Sequence, residues 1–277
     1  MKASFLALFV VIGCAGPPPV YVDIAVGRGH ACALDEDGEI GCFGKHAYNE
    51  VHHPPEGVFS ALSGASQQSC ALDVNGEIQC WGYTYEPPSG PYAQLASGGN
   101  VSCALDEDGE GTCFGDSGNL GTQIPDGRFQ EIALGEQHGC GLREDGRVEC
   151  WGQNNYEQID APEGVFTHVS AAYAHSCALD VEGEVHCWGR GTWLRDLPTD
   201  VDDAVDLISG GTFACILNEE HKIWCWGDIF RWSWGDDTPT REEPAGPYVA
   251  ADADQARMCA ARMDGDFDCF GSALWHQ

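Results

Sequence analysis

His175 to Gly189 reads HSCALDVEGEVHCWG, and the spacing within it decides the fold. Two short apolar runs flank Asp180-Val181-Glu182-Gly183-Glu184, a composition suited to a three-residue hairpin loop: a type I turn followed by glycine in the left-handed region. With Asp180 opposite Glu184, Leu179 faces Val185, Ala178 faces His186 and Cys177 faces Cys187. Counting outward from the hydrogen-bonded closing pair, the cysteines fall on a non-hydrogen-bonded pair, where the Cα atoms are close enough for a disulfide. Hairpin and staple are one device.

The device is written seven times. The other copies begin at His30, Gln68, Val101, His138, Phe213 and Arg257, and each keeps C-x9-C. The expected disulfides are Cys32 with Cys42, Cys70 with Cys80, Cys103 with Cys113, Cys140 with Cys150, Cys177 with Cys187, Cys215 with Cys225, and Cys259 with Cys269. Two copies decay locally: His221 replaces the turn glycine in the sixth, and Ala261 the turn-flanking leucine in the seventh. None of the spacings is the C-x2-C of zinc sites, so disulfides in an oxidising compartment are the better reading.

Upstream of each hairpin lies further punctuation. Eleven residues before the first cysteine stands an aromatic in six copies, Tyr21, Phe59, Tyr92, Phe129, Phe166 and Tyr248, with Ala204 the exception. Eight before it stands Ile24, Leu62, Leu95, Ile132, Val169, Leu207 or Ala251, and five before it usually a small residue. This predicts a first strand ending in a tight turn, to which the hairpin adds two more strands. Successive first cysteines are 38, 33, 37, 37, 38 and 44 residues apart, within the range of propeller blades. Both faces of the hairpin are apolar, with Cys177 and Leu179 on one and Ala178 and Trp188 on the other, so each unit needs a neighbour on two sides. The expectation is one all-β domain over residues 21–277, a seven-bladed β-propeller closed into a ring.

The chain holds 15 cysteines, an odd number, and Cys14 is the one outside the repeats. Residues 1–13 read as a signal peptide, with Lys2 followed by an apolar run too short to span a bilayer. Val11-Ile12-Gly13-Cys14 resembles the lipobox of bacterial lipoproteins, which implies cleavage before Cys14 and its lipidation. Residues 14–20, with Pro17 to Pro19, then form a stiff spacer. Ala15 after the cysteine favours, by that analogy, the outer membrane.

Thirteen basic against 44 acidic residues give a net charge of −31, with no basic stripe to neutralise phosphates, which argues against nucleic-acid binding. The acidic turns Asp35–Glu39 and Asp106–Glu110 look like fragments of calcium loops but lack the full ligand spacing, and turn chemistry alone selects Asp and Gly there. His30, His138 and His175 share one repeat position with Gln68, Val101, Phe213 and Arg257, so that position serves the repeat turn and not a metal. No metal, cofactor or catalytic constellation is expected, and the chain reads as a non-enzyme. The aromatic after each second cysteine, Phe43, Trp81, Phe114, Trp151, Trp188, Trp226 or Phe270, is expected between blades.

The pattern G-x-x-H-x-C-A-L-x-x-x-G-x-V-x-C-W-G resembles the repeat of the regulator of chromosome condensation family. WGQNNYEQ after Cys150 and GNLG at Gly118 are similar to further segments of that repeat. The resemblance implies a seven-bladed propeller. The short units and added cysteine pairs look like bacterial secreted members, the propeller-type β-lactamase inhibitory protein among them. The longest inter-repeat insert, residues 228–243, carries Phe230, Arg231, Trp232 and Trp234 outside every repeat position, which makes them candidate binding residues. The functional expectation is a non-catalytic cell-envelope lipoprotein whose propeller binds a protein or glycan. The alternative is a secreted enzyme inhibitor, or an enzyme using the central pocket.

Overall fold

The computed structural model describes residues 19–44, 54–116, 118, 120–191, 204–227, 246–255 and 257–271. Residues 1–18, with Cys14, and the insert with Phe230, Arg231, Trp232 and Trp234 lie outside them. The described residues form seven antiparallel sheets of three strands, each from one contiguous repeat. The inner strands are Tyr21–Val26, Phe59–Gly64, Gln94–Gly98, Phe129–Leu134, Phe166–Ala171, Ala204–Ser209 and Tyr248–Ala253. The middle strands are His30–Asp35, Gln68–Asp73, Val101–Leu105, His138–Arg143, His175–Asp180, Phe213–Asn218 and Arg257–Arg262. The outer strands are Ile40–Gly44, Ile78–Gly82, Gly111–Gly115, Val148–Gly152, Val185–Gly189, Ile223–Gly227 and Phe267–Gly271.

The hairpin register is the one the turn dictates. Leu179 pairs with Val185, Ala178 with His186 and Cys177 with Cys187. All seven cysteine pairs are bonded, with Cα atoms 4.0 or 4.1 Å apart. The turn glycine sits in the left-handed region, with φ of 84° at Gly183, and His221 takes the same conformation at 62°. Its imidazole Nδ1 lies 2.9 Å from the Tyr248 carbonyl oxygen, a contact to the next blade that a glycine could not make.

Each blade packs on two neighbours, as its two apolar faces require. Cys177, Leu179 and Val185 of blade 5 meet Leu207, Ala214, Ile216 and Trp226 of blade 6. On the opposite face Ala178 and Trp188 meet Cys140, Leu142, Phe166 and Val169, which bridge blades 4 and 5. Blade 7 meets blade 1 in the same way, through Ile24, Val26, Ala31 and Cys259, with Phe43 and Phe267 packed alongside. The Tyr21 and Phe267 rings lie 4.3 Å apart across this junction. The ring is therefore closed.

Blades are also tied through backbone. The Phe166 N–H donates to the carbonyl of Gly146, the turn glycine of the preceding blade, at 2.7 Å, and Phe59, Tyr92, Phe129 and Tyr248 repeat the bond. Where glycine ends an inner strand the cause is close approach: a Cβ on Gly98 would overlap the carbonyl oxygen of Gly135 in the next blade.

The shared histidine position closes the turn from inner to middle strand, as the repeat implies: the carbonyls of His30, His138 and His175 accept the N–H groups of Gly27, Gly135 and Ala172. Their rings are also buried between blades. His30 Nε2 lies 2.7 Å from Ser69 Oγ and His138 Nε2 2.9 Å from Ser176 Oγ, while Gln68 Nε2 donates to Ser102 Oγ at 3.0 Å. Burial holds His138 down to about 4 and His175 to about 3, so both stay neutral at physiological pH.

Candidate functional site

The strand order sorts side chains onto two faces and a channel. The hairpin tips between middle and outer strands form the lower face, and four of them are acidic because of how they turn. Asp35 Oδ1 accepts the N–H groups of Asp37 and Glu39, and Asp73, Asp106 and Asp180 repeat the arrangement. Among the described residues the single group of three potential metal ligands within 4.8 Å is Asp180, Glu184 and His186, on one such tip. There Asp180 already caps the turn and pairs with His186 Nε2 at 2.7 Å, so turn chemistry accounts for the cluster.

The upper face is made by the loops between inner and middle strands and by the ends of the outer strands. The two are joined by backbone bonds: Tyr83 N–H to Gln67 O, Asp116 to Asn100, Gln153 to Gln137 and Arg190 to Ala174. This face presents amides, Arg28, Arg190 and Arg257, aromatics and the acids Asp116 and Glu136. Tyr83, Tyr156 and Tyr173 are 50%, 45% and 41% exposed. The Arg190 guanidinium lies over the Tyr156 ring at 4.9 Å, and the Tyr83 and Tyr85 rings meet edge to face at 6.0 Å. A hollow of about 200 Å³ opens among Arg28, Gln67, Asn100, Glu136 and Gln137. The chain leaves the last residue of blade 6, Gly227, on this face, and the insert follows directly.

The channel runs between the seven inner strands, which all contribute to the lining of a 360 Å³ cavity. Nine residues before the first cysteine the inner strands carry Asp23, Ala61, Gln94, Glu131, His168, Asp206 and Ala250. An inner strand has a free edge, and these side chains satisfy part of it. Asp23 accepts the Ile24 N–H in its own blade and the Leu62 N–H of blade 2, each at 2.8 Å. Gln94 reaches Ile132 of blade 4, and Glu131 reaches Val169 of blade 5. Asp252, from a different position of blade 7, accepts Val26 N–H at 2.7 Å across the ring junction.

Enclosure dominates the electrostatics of these groups. Burial, opposed by the N–H donors and reinforced by Asp206, pushes Asp23 up to about 6. Burial, with the charges of Asp23 and Asp206 acting against its N–H donors, pushes Asp252 up to about 7. Asp206 opens onto the channel, yet enclosure by the surrounding wall and the charge of Glu131 still raise it. The sequence shows no carboxylate constellation because these residues are spread over blades 1, 4, 6 and 7. The one signal it holds is a polar position recurring inside an otherwise apolar strand.

Similarity to known proteins follows the same geometry. The profile of the Regulator of chromosome condensation (RCC1) repeat matches residues 21–50, 129–158 and 166–192, the repeats of blades 1, 4 and 5. No curated protein sequence matches the chain. The chain superposes on the ectodomain of the receptor kinase CR4 from Physcomitrella patens with a TM-score of 0.75 at 24% identity, covering 92% of this chain and 74% of that one. The CRINKLY ectodomain of ACR4 from Arabidopsis thaliana gives 0.73 at 20% identity, covering 91% and 96%. Prp20p from Saccharomyces cerevisiae, whose binding to Gsp1p and histones has been described, gives 0.69 at 19% identity over 90% and 81%. These likenesses are of fold, and the class they and the sheets define is a seven-bladed β-propeller with a disulfide in every blade.

Proposed function

We propose that the protein is a non-catalytic binding scaffold of the regulator of chromosome condensation repeat type, held outside the cytoplasm by a lipid on Cys14, and that its upper face engages a protein partner. The observation that carries this reading is the asymmetry of the two faces. The lower face repeats one turn, capped by aspartate in blades 1, 2, 3 and 5 and carrying Arg143, Arg147 and Arg262 in blades 4 and 7. On the upper face the exposed rings of Tyr83, Tyr156 and Tyr173 break the repeat, and Tyr is over-represented in binding hot spots. Phe230, Arg231, Trp232 and Trp234 follow in sequence from that face and extend the same chemistry. Protein binding by Prp20p fits a propeller face used this way. Seven disulfides need an oxidising compartment, which supports export. An inhibitory role, with a secreted enzyme as partner, would use the same face.

In-cell cross-linking tests the face. Tyr156→Ala with Tyr173→Ala, and separately Trp232→Ala with Trp234→Ala, should abolish capture of the partner without lowering the melting temperature, whereas Asp37→Asn with Asp108→Asn on the lower face should leave capture intact. The reverse pattern would move the site to the acidic tips. Anchoring has its own measurement: Cys14→Ser should shift the protein from the membrane to the soluble fraction, and a mutant that fractionates like wild type refutes the lipid.

A further inference from the structure

The upper face holds a second kind of surface, the hollow of about 200 Å³. Turns between inner and middle strands floor it, and one register position supplies most of its chemistry. Three residues before the first cysteine stand Gln67, Asn100 and Gln137, on the consecutive blades 2, 3 and 4, where blades 1, 5 and 6 carry Gly29, Ala174 and Thr212. Arg28, Asp116 and Glu136 complete the wall, and none of the described residues lining the hollow is apolar.

The hollow is held in shape by its own backbone. The carbonyls of Gln67, Asn100 and Gln137 accept the N–H groups of Tyr83, Asp116 and Gln153 at 2.9, 3.0 and 2.9 Å, so each turn is pinned to the chain leaving an outer strand. Arg28 N–H donates to the Ser66 carbonyl and Ser66 N–H to that of Gly99, which joins the turns of blades 1, 2 and 3. Gln137 Oε1 accepts from Gln153 Nε2 at 2.9 Å, fixing its amide plane. A wall organised this way has little freedom left to lose when a ligand binds.

The composition of the wall selects the ligand. An apolar molecule would strip water from amides and charges without replacing their hydrogen bonds. An ion of either sign meets both signs, Arg28 against Asp116 and Glu136. A peptide strand needs a sheet edge to pair with, and turns offer none. The remaining class is a neutral molecule whose neighbouring groups both donate and accept, as side-chain amides do and as sugar hydroxyls do. We propose that this hollow binds a neutral saccharide unit, its hydroxyls bridged by Gln67, Asn100 and Gln137, with Asp116 and Glu136 accepting and Arg28 donating. Next to it stands the exposed ring of Tyr83, bonded through its N–H to Gln67 and set edge to face with Tyr85, a surface on which the C–H face of an adjoining sugar ring packs. The site extends the reading of the upper face without resting on it.

Binding of the folded protein to an immobilised array of neutral hexose and N-acetylhexosamine oligosaccharides tests this, with calorimetry on the strongest binder. We expect at least one saturable ligand, weakened at least about tenfold by Gln67→Ala with Asn100→Ala. Tyr156→Ala with Tyr173→Ala should leave sugar binding intact, so that the sugar site and the protein site are read apart. Should the amide pair fail to fold, Gln67→Glu serves, because it keeps the side-chain length and removes the N–H donors, and weakened binding is again expected. Excess of the bound oligosaccharide in the cross-linking assay separates two sources of the sugar: capture abolished marks a glycan on the partner, capture retained a free or cell-wall glycan, and the site stands in both cases. An array without a neutral ligand, undiminished binding by the Gln67 and Asn100 variants, or binding confined to anionic glycans added to the array would each overturn the proposal.

Discussion

Complete reduction of the disulfides under otherwise native conditions is expected to unfold the ring. Each bond closes a loop with a sequence separation of 10, for which the chain-entropy relation gives about 2 to 3 kcal/mol. The contributions do not sum fully, since a formed hairpin already restrains its own loop. Even half of the seven-fold total is comparable with the roughly 5–15 kcal/mol by which a domain is stable at all. The cysteines are also packing atoms: Cys32, Cys70, Cys103, Cys140, Cys177, Cys215 and Cys259 are fully buried between blades. Tryptophan fluorescence and near-ultraviolet circular dichroism with and without a phosphine reductant measure the effect. A reduced protein with native spectra and an unchanged melting temperature would show that blade packing alone sustains the fold.

Asp252→Asn is expected to remove one component of the pH dependence of stability. Asp252 is raised in the folded state from an ordinary carboxylate value to about 7, so folding favours its protonated form. That contribution is fully present below the unfolded pKa and is lost as pH rises through about 7. The upper limit of the loss is roughly 4 kcal/mol, since every tenfold gain in proton affinity on folding corresponds to about 1.4 kcal/mol. Asp23 adds a contribution of the same sign, and His138 and His175, held neutral by burial, add one of the opposite sign. The expected result is therefore a difference between the two proteins. The change in melting temperature from pH 5 to pH 8 should shift by several degrees on substitution, the variant losing less stability than wild type as pH rises. Asparagine offers one acceptor where the carboxylate used two oxygens, for Val26 N–H and Ala253 N–H. For that reason the decisive quantity is the difference between the two pH values. An equal difference in mutant and wild type would place the titration elsewhere.

The fold was legible because its information is local. Turn composition fixed the hairpin, the hairpin fixed which cysteines meet, and apolar residues on both faces of HSCALDVEGEVHCWG demanded neighbours on both sides. The channel was not legible, because Asp23, Glu131, Asp206 and Asp252 become neighbours only when the ring closes, and no local rule relates residues separated by most of the chain. The second role of the histidines was hidden for a related reason. Besides closing its turn, His30 meets Ser69, one blade away. The upper-face tyrosines were missed because Tyr83, Tyr156 and Tyr173 occupy different places in their repeats, and repetition was the main signal available.

Every sheet is made from one uninterrupted stretch of chain, including the first and the last. Among the described residues no strand from one end of the chain completes the sheet at the other. All backbone pairing can thus form as the chain emerges, one short loop at a time, and each blade can be covalently locked before the next arrives. Loop closure over the full length is needed for a single event, the docking of blade 7 on blade 1. Low contact order within blades makes their formation fast, and the topology leaves this final association as the slow step of folding.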